Sequence, residues 1–437
     1  MKLKYIILSL GCAKNLVDSE RFVAILKNYG FKEAETFDEA DIVLVNSCAF
    51  LHDALLELSD TLSEILWEID GIPTKLVVTG CVMNRGLQTF QEKFPWVDCW
   101  IPLKDFTAFE RYLKESVLPP DADLTRKRLL QRTPLEQEQH VYLRIADGCE
   151  NYCTYCLIPS IRGKLVSVPI EELVKEAKSL SRRGKELVLI AQDSCMYGTD
   201  IYGHKALPEL IEALHEIKGF EWIRLMYLHP DHFELDWLPL WKKYPKLLPY
   251  FEIPIQHVSD RIIHAMNRKK GYAELKALFE SIKTEIPQAV FRTTLMVGYP
   301  GETRADLDLI DKFLSEVDIL HVGVFGYSPE QEGSQWHYPD DWDWDRTRQL
   351  ELELTQKIQK QKLAKMERLV GTSHRAMVVD YDFELEALCA RLWFQAPEID
   401  GLVYFEDDSD SKEIMVEIQI FDVLDDEIWG ELIEEQE

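Results

Sequence analysis

The chain has 437 residues, of which 46% are hydrophobic, and its formal net charge is −28. This length and apolar content suffice for two or three domains with real cores, and no run of about 18 apolar residues predicts a membrane span. So acidic a chain repels nucleic acid in general and favours basic partners.

The first hundred residues alternate predicted strands and helices. Short apolar runs predict buried strands at Tyr5–Leu10, Asp41–Val45 and Lys75–Thr79. Helical spacing predicts helices at Ser19–Tyr29 and His52–Ile69. The alternation predicts an α/β amino-terminal domain, with a small parallel sheet flanked by helices.

A cysteine closely follows each of these strands, namely Cys12, Cys48 and Cys81. Ligands of open α/β sheets bind beyond the carboxyl ends of the strands, so the three thiols can converge there. A single cysteine at such a position is most often a small core residue, but three in phase favour a metal site. The chain has 9 cysteines and no secretory signal, so we expect a cytoplasmic protein.

A charged, proline-containing stretch at Lys114–Gln139 predicts a linker, and a longer α/β region follows it. Six strands are predicted, at Val141–Ala146, Leu187–Ala191, Trp222–Tyr227, Tyr250–Ile255, Val290–Val297 and Ile319–Phe325. The helices between them are predicted at Glu171–Arg183, Pro208–Ile217, Asp260–Thr284 and Ala305–Val317. Six units are too few for a closed eight-fold barrel, so we predict a partial, open (β/α)6 barrel.

Three further cysteines, Cys149, Cys153 and Cys156, stand on one loop after the first strand of this barrel. Three closely spaced thiolates can hold three corners of a four-iron cluster and leave one iron open to a substrate or cofactor. The alternative is a set of buried apolar thiols or a zinc site that lacks one ligand. Cys99, Cys195 and Cys389 have no matching partners and are interpreted as structural or free thiols.

The last part of the chain combines a long predicted helix, Trp344–Leu369, with strands near Ala376–Asp380, Leu402–Phe405 and Ile414–Phe421. This pattern predicts a small β-barrel. From Gly371 onward there are twenty acidic residues and three basic ones, so −17 of the net charge lies in this module. On charge alone such a module is a solubilising surface.

Several motifs resemble those of the radical S-adenosylmethionine (SAM) methylthiotransferase family, over nearly the whole chain. They are Ser9–Asn15, Asp18–Glu20, Val78–Cys81, the Cys149 loop, Ile158–Gly163, Val297–Thr303 and Ala396–Gly401. The pair Lys14-Asn15 and the last motif are similar to the RimO branch. The resemblance implies a methylthiotransferase amino-terminal domain (1–118), a linker (119–134), a radical SAM core (135–368) and an acidic TRAM-like barrel (369–437).

The resemblance also implies a chemistry with two [4Fe-4S] clusters. The loop cysteines would hold the cluster that cleaves SAM into a radical, and Cys12, Cys48 and Cys81 would hold an auxiliary cluster that carries the inserted sulfur. One SAM would donate a methyl group and a second the radical that attacks the β-carbon of an aspartate. An unactivated C–H bond offers no acidic proton, so this reaction needs a cofactor rather than acid–base residues.

The implied partners are a basic protein and an electron donor. The substrate would be protein twelve of the small ribosomal subunit, either free or on the ribosome. An electron donor such as flavodoxin would reduce the cluster. We expect neither a membrane partner nor a direct nucleic-acid substrate.

Five further residues are candidates for binding SAM. Tyr155 stands where the superfamily places an aromatic ring against the adenine, although it could equally be a packing ring on the loop. Gly298 and Gly301 match a segment that lines the adenosine, or else form a plain proline–glycine turn. Gln192 follows the second strand, where the superfamily usually has glycines and a glutamate for the methionine amine. Gln256 ends the fourth strand, just before a histidine, and faces the same mouth.

Two alternatives remain open on the sequence. A tRNA methylthiotransferase of the same family would present Lys and Arg to phosphates, which the acidic terminal module disfavours. A non-catalytic iron–sulfur carrier or redox scaffold would explain six cysteines but not the six-stranded barrel.

Overall fold

The computed structural model describes residues 3–119, 132–135, 139–329, 343–406, 413–424 and 427–433. The amino-terminal domain contains a five-stranded parallel sheet of order β2-β1-β3-β4-β5. Its strands are β1 (Lys4–Ser9), β2 (Lys32–Glu33), β3 (Ile42–Ser47), β4 (Lys75–Gly80) and β5 (Cys99–Trp100). Its helices are α1 (Ala13–Asn28), α2 (His52–Glu68), α3 (Leu87–Lys93) and α4 (Phe106–Tyr112).

The predicted parallel α/β sheet is therefore confirmed, but the predicted start of α1 at Ser19 is wrong. The helix begins at Ala13, immediately after Cys12. Its first turns carry the polar residues Lys14, Asn15 and Asp18, which are all buried. A search for apolar periodicity misses such a segment because polar partners, rather than apolar contacts, account for its burial.

The central domain is a partial barrel of parallel strands. Its strands are β6 (His140–Arg144), β7 (Ala146–Asp147), β8 (Val166–Ser167), β9 (Glu186–Ile190), β10 (Trp222–Leu225), β11 (Tyr250–Glu252), β12 (Val290–Val297) and β13 (His321–Gly326). The strands β10-β9-β6 and β11-β12-β13 form two three-stranded parallel sheets. The two sheets meet beyond β10, where the Leu228 amide donates to the Glu252 carbonyl at 3.0 Å. The short antiparallel pair of β7 and β8 flanks the cysteine loop.

The helices of this domain are α5 (Ile158–Ile161), α6 (Ile170–Leu180), α7 (Leu207–His215), α8 (Pro239–Lys243), α9 (Asp260–Ala265), α10 (Tyr272–Glu285) and α11 (Arg304–Glu316). The single helix predicted at Asp260–Thr284 is therefore wrong. The chain leaves helical geometry at Asn267, whose φ is 60°, and α10 starts at Tyr272, after the Gly271 amide donates to the Glu274 carboxylate at 3.1 Å.

Most of the predicted linker lies outside the described residues. Its described end is buried, because Arg132 forms ion pairs with Glu20 of α1 and with Glu176 of α6. This end of the segment is therefore attached to both neighbouring domains.

The predicted carboxy-terminal β-barrel is confirmed. The helix α12 (Trp344–Met366) leads into a closed barrel of order β14-β15-β16-β18-β17. Its strands are β14 (Ser373–Asp382), β15 (Ala387–Leu392), β16 (Val403–Phe405), β17 (Met415–Leu424) and β18 (Glu427–Leu432). The sequence analysis missed β15 and β18.

Both flanking domains pack against the central barrel. Val17 of α1 and Met377 and Ala396 of the carboxy-terminal domain share one buried apolar cluster with barrel residues such as Tyr142 and Trp222. No helix among the described residues combines the length and apolar character that crossing a bilayer requires.

Two buried ion networks attach the carboxy-terminal barrel to the central one. Glu186 of β9 lies 2.6 Å from Arg224 of β10 and 2.5 Å from Arg391 of β15. Asp400, in the predicted motif Ala396–Gly401, accepts a hydrogen bond from the Tyr250 hydroxyl at 2.6 Å and pairs with Arg292.

Candidate iron–sulfur and cofactor site

The first three cysteines lie together beyond the carboxyl ends of β1, β3 and β4, as predicted. Gly11 makes this possible, because its φ is 94° and a Cβ there would lie 2.6 Å from the Cβ of Cys48. Cys12 is exposed, Cys48 is half-buried and Cys81 is buried, and all three are free thiols. The triad therefore offers one solvent-facing ligand and two that the fold encloses.

The electrostatics of this triad favour metal-bound thiolate at one position more than at the others. The pKa of Cys81 is raised to about 11, because burial and the neighbouring thiols of Cys48 and Cys12 together outweigh the opposing charge of Arg162. For Cys12 the surrounding protein also raises the pKa, but the charges of Lys14 and Arg162 outweigh it and lower the pKa below its ordinary value. Thiolates, not thiols, bind metal, so Cys12 is the readiest ligand.

The second triad lies on the loop after β7. Burial raises the pKa of Cys149 to about 11 and that of Cys156 to about 12. Arg268 is buried beside this loop, since the side chain of the preceding Asn267 donates to the Asn151 and Tyr152 carbonyls at 3.1 Å. Despite the opposing effect of burial, the pKa of Arg268 lies above the ordinary value because of Tyr155 and Cys153. A buried cation therefore adjoins these three thiols.

Neither triad is arranged around a single ion. Among the described residues, the one group of three potential ligand atoms within 4.8 Å of one another is Asp193, His229 and His232. Zinc would require its thiolates to be at least as compact, so neither triad is spaced for a single zinc ion.

The group of Asp193, His229 and His232 is better explained by hydrogen bonds than by a metal. Asp193 lies 2.6 Å from His232 Nδ1 and accepts a hydrogen bond at 2.9 Å from Asn151 of the cysteine loop. His229 Nδ1 accepts from the Asp231 amide at 3.2 Å, so the proton of the neutral ring lies on Nε2, which cannot then bind a metal. Burial lowers the pKa of His229 to about 3, which keeps the ring neutral.

Asp147 connects the cysteine loop to both domains. Its carboxylate lies 2.5 Å from Lys104 Nζ of the amino-terminal domain and 3.2 Å from Arg162 Nη1. It also accepts from Gln192 Nε2 at 2.7 Å and from the Gly148 amide at 3.0 Å. The residue that begins the cysteine loop is therefore held by four donors.

Arg162 extends this network to the other triad. Its Nη2 lies 3.7 Å from the Cys81 sulfur and donates to the Asn15 side-chain oxygen. Its Nη1 lies 3.7 Å from Asp18, which pairs with Arg144 at 2.7 Å. One guanidinium thus contacts a cysteine of the first triad and the aspartate that precedes the second.

A further contact brings the amino-terminal domain to the mouth of the barrel. Lys14, two residues after Cys12, places its ammonium 3.4 Å from the centre of the Tyr227 ring, which follows β10. The first triad therefore borders the mouth around which the second lies.

The residues around the cysteine loop fit the methionine part of SAM. Three buried atoms here have no partner within the described part of the chain, namely Gln192 Oε1, His229 Nε2 and Arg268 Nε. Gln192 donates to Asp147, and His229 has a ring nitrogen within 4.8 Å of an Asp193 oxygen. Arg268 follows Asn267, whose side chain donates to two carbonyls of the loop. One acceptor and two donors complement an amine and a carboxylate.

Tyr155 and Gln256 are two further residues that the sequence predicts to bind SAM. Tyr155 is half-buried against a cluster that contains Met266 and Tyr299, so a packing role and an adenine contact both remain compatible with its position. Gln256 is nearly buried and has a φ of 68°, which is unusual for glutamine and indicates a constrained backbone at the strand end. The following His257 is fully buried, and its Nδ1 accepts from two backbone amides, which explains it as a structural residue.

The two predicted glycines have a structural explanation. Gly298 has a φ of 77°, and a Cβ there would lie 2.8 Å from Thr347 of α12. Gly301 has a φ of 82° and forms the end of the same turn. The positive φ of the turn favours glycine at both positions, and the approach of α12 adds to this at Gly298. Their contact with adenosine stays a prediction.

Sequence reasoning missed Asp147, Asp193, Arg162 and Arg268 as site residues. Arg162 lies in the motif Ile158–Gly163, and Asp147 precedes the cysteine loop, so proximity to motifs could have identified them. No pattern in the sequence distinguishes Arg268.

Three family models match the chain. The model described as Uncharacterized protein family UPF0004 matches residues 4–102, the Radical SAM superfamily matches 143–314 and the TRAM domain matches 370–433. The solved structure of the cobalamin-dependent SAM radical enzyme OxsB, with aqua-cobalamin and SAM bound, aligns with a TM-score of 0.50 at 12% identity. The alignment covers 82% of this chain and 56% of that one, and it shows a shared fold.

Curated relatives are similar over almost their entire length. Ribosomal protein uS12 methylthiotransferase RimO of Thermotoga maritima is 34% identical over 426 residues, which are 97% of this chain and 98% of that protein. The protein of the same name from Clostridioides difficile is 35% identical over 443 residues, 99% of each. The one from Aquifex aeolicus is 35% identical over 97% of this chain and 96% of its own. The chain therefore belongs to the RimO family of radical SAM methylthiotransferases.

Proposed function

We propose that the protein transfers a methylthio group to the β-carbon of an aspartate in ribosomal protein uS12. SAM would be the methyl donor and the radical source, and two [4Fe-4S] clusters would be the resident cofactors. The observation that carries the proposal is the pair of separate cysteine triads, joined at one interdomain contact by Arg162 and Asp147. A simple electron carrier does not require two such sites on either side of one barrel mouth.

Within this proposal the six cysteines are ligands, and the surrounding residues orient them. When bound, the two clusters and SAM would supply the electron, the held sulfur and the methyl group. Cys12, Cys48 and Cys81 would hold one cluster, and the three loop cysteines the other. Asp193 fixes the loop through Asn151 at 2.9 Å. Gln192 would use its free buried oxygen to accept from the methionine amine, while Tyr155, Gln256, Gly298 and Gly301 would line the nucleoside.

The acidic carboxy-terminal barrel supports a basic protein substrate. Of its three basic residues, Arg391 is buried against Glu186, and Arg375 faces Glu221 of the central domain at 3.0 Å. Lys412 lies outside the described residues. The excess of carboxylates in this module suits a basic partner and raises its association rate.

The hairpin between β14 and β15 combines exposed aromatic and acidic side chains on this surface. Phe383 at its tip is 85% exposed and contacts the ring of Tyr381, and exposed Glu384 and Glu386 stand beside it. Aromatic faces and carboxylates together attract Lys and Arg side chains. We propose this hairpin as a contact for the ribosomal protein.

The remaining parts of the proposal concern the cellular setting. An electron donor such as flavodoxin would reduce the loop cluster, and nine free thiols are consistent with a reducing cytoplasm. A direct nucleic-acid substrate is not part of the proposal, because the terminal barrel lacks the basic surface that phosphates require.

Mass spectrometry of purified uS12, after anaerobic incubation with the reconstituted enzyme, SAM and dithionite, tests the proposal. We expect one methylthio adduct on one aspartate. Replacing the three loop cysteines by alanine should abolish both the adduct and the release of 5′-deoxyadenosine. Replacing Cys12, Cys48 and Cys81 by alanine should abolish only the adduct.

Other outcomes identify the alternatives. An adduct on tRNA and none on uS12 would establish a tRNA methylthiotransferase. A protein that binds iron but releases no 5′-deoxyadenosine would be a carrier or scaffold. Methylthio transfer by the variant without Cys12, Cys48 and Cys81 would refute the assignment of the auxiliary cluster.

A further inference from the structure

Each cysteine triad has one buried arginine of the central domain beside it. Arg162 is 8% exposed and contacts the sulfur of Cys81 at 3.7 Å. Arg268 is 6% exposed and lies beside the cysteine loop, because the side chain of the preceding Asn267 donates to the Asn151 and Tyr152 carbonyls at 3.1 Å. Neither arginine is a cluster ligand in the proposed function.

The charges around Arg162 do not cancel. Its network contains three cations, Arg162, Arg144 and Lys104, but two carboxylates, Asp18 and Asp147. Arg144 and Lys104 each lie within 2.7 Å of one of those carboxylates. The surplus positive charge therefore falls to Arg162, which is the member of the network that contacts a cysteine.

A fixed cation has a defined effect on an iron–sulfur cluster. Reduction adds one negative charge, which a nearby buried cation stabilises, and a hydrogen bond to a ligating sulfur acts in the same direction. The effect is large where the site is buried because solvent does not screen the charge.

We infer that Arg162 raises the reduction potential of the cluster held by Cys12, Cys48 and Cys81, and that Arg268 does the same for the loop cluster. This inference rests on the proposed function, since it requires two clusters. Arg162 is thus a positioning and tuning residue rather than a catalytic one. It also ties that potential to the domain contact, because its other partner, Asp147, begins the loop that holds the second cluster.

Redox titration followed by electron paramagnetic resonance tests the inference, in full-length protein that carries one cluster. With the three loop cysteines replaced by alanine, the remaining cluster reports on Arg162. We expect Arg162→Gln to shift its midpoint potential in the negative direction. Arg162→Lys keeps the charge, so its midpoint potential should lie close to that of the protein with Arg162 intact.

For a second variant we expect the midpoint potential of the same cluster to shift in the opposite direction. Asp18→Asn removes a negative charge 3.7 Å from Arg162 Nη1 and should shift the midpoint potential in the positive direction. General damage to the interface would move both variants the same way, so opposite shifts separate an electrostatic role from a structural one. Asp18→Asn also gives a result if Arg162→Gln does not assemble a cluster.

Arg268 provides the matched control. With Cys12, Cys48 and Cys81 replaced by alanine, Arg268→Gln should shift the loop cluster in the negative direction, and Arg162→Gln should leave it unchanged. Shifts of the same sign for Arg162→Gln and Asp18→Asn, or no shift for either, would overturn the inference. If the protein without loop cysteines binds no cluster at all, the proposed function itself fails, which is a different result.

Discussion

The most informative substitution for the stability of the site is Asp147→Asn. The change keeps the shape of the side chain but removes a charge that faces Arg162 at 3.2 Å and Lys104 at 2.5 Å. The side chains of Asp147 and Arg162 are 8% and 1% exposed, whereas that of Lys104 is 30% exposed. The variant therefore leaves a buried guanidinium with one carboxylate, that of Asp18 at 3.7 Å, which also pairs with Arg144.

The expected decrease in the free energy of unfolding is large because the ion pair is buried. Removing one partner of a buried ion pair costs about 3–5 kcal/mol, and most of it arises here from Arg162, since water partly solvates Lys104. Urea unfolding of the reduced, metal-free protein measures the change. Glu285→Gln is the matched control, because it makes the same chemical change in an exposed pair with Lys242 at 2.8 Å. That variant should unfold like the wild type.

The pH dependence checks the cause. Burial raises the pKa of the Asp147 carboxyl, but Arg162, Arg144 and Lys104 outweigh it and hold the pKa far below its ordinary value. A depressed pKa gives stability that is present above the ordinary pKa and is lost as the pH falls below it. The difference between wild type and Asp147→Asn should thus stay constant from about pH 5 to about pH 8. A variant no less stable than Glu285→Gln would refute the reasoning.

Two other predictions concern the carboxy-terminal domain. Burial raises the pKa of Glu186, but the charges of two arginines outweigh it and lower the pKa to about 2 from its ordinary 4.5. As the pH falls from 4.5 to 2, the free energy of unfolding of the wild type should therefore decrease by about 3 kcal/mol more than that of Glu186→Gln. An equal loss of stability in both proteins, measured by urea unfolding at each pH, would contradict this. For the exposed hairpin, Glu384→Gln with Glu386→Gln should slow association with uS12 at low salt and lose its effect at high salt, as surface plasmon resonance would measure. Glu212→Gln with Glu285→Gln, on the central domain, should leave the association rate unchanged, and an equal effect of both pairs would exclude the hairpin as the contact.

The fold could be predicted where burial is apolar. The strands β1, β3, β4 and β12 match their predicted ranges closely, because runs of apolar residues identify buried parallel strands. The first turns of α1 could not be predicted, because Lys14, Asn15 and Asp18 are buried through polar contacts. Their partners, such as Arg144 and Arg162, are more than a hundred residues away in sequence.

For the site as well, residues marked by local sequence features could be predicted and residues that depend on long-range contacts could not. The cysteines could be predicted because their spacing and their position after strands are local properties. Asp193 and Arg268 could not, because Asp193 acts through its contact with Asn151, and Arg268 comes beside the loop only when the chain is folded. Gly298 illustrates a further difficulty, since its packing against Thr347 of α12 is sufficient to require glycine whether or not a nucleoside lies nearby.

Buried charges occur mainly where the domains of this protein meet. Apolar burial stabilises a contact without fixing its direction, whereas an ion pair with defined hydrogen bonds allows few orientations. Glu186 orients the carboxy-terminal barrel, and Asp147 with Arg162 orients the amino-terminal domain. If sulfur is to pass from one cysteine triad toward a carbon activated at the other, the distance between the triads must be fixed. The interface that contains Arg162 provides this constraint, so its rigidity and its charge serve the same step.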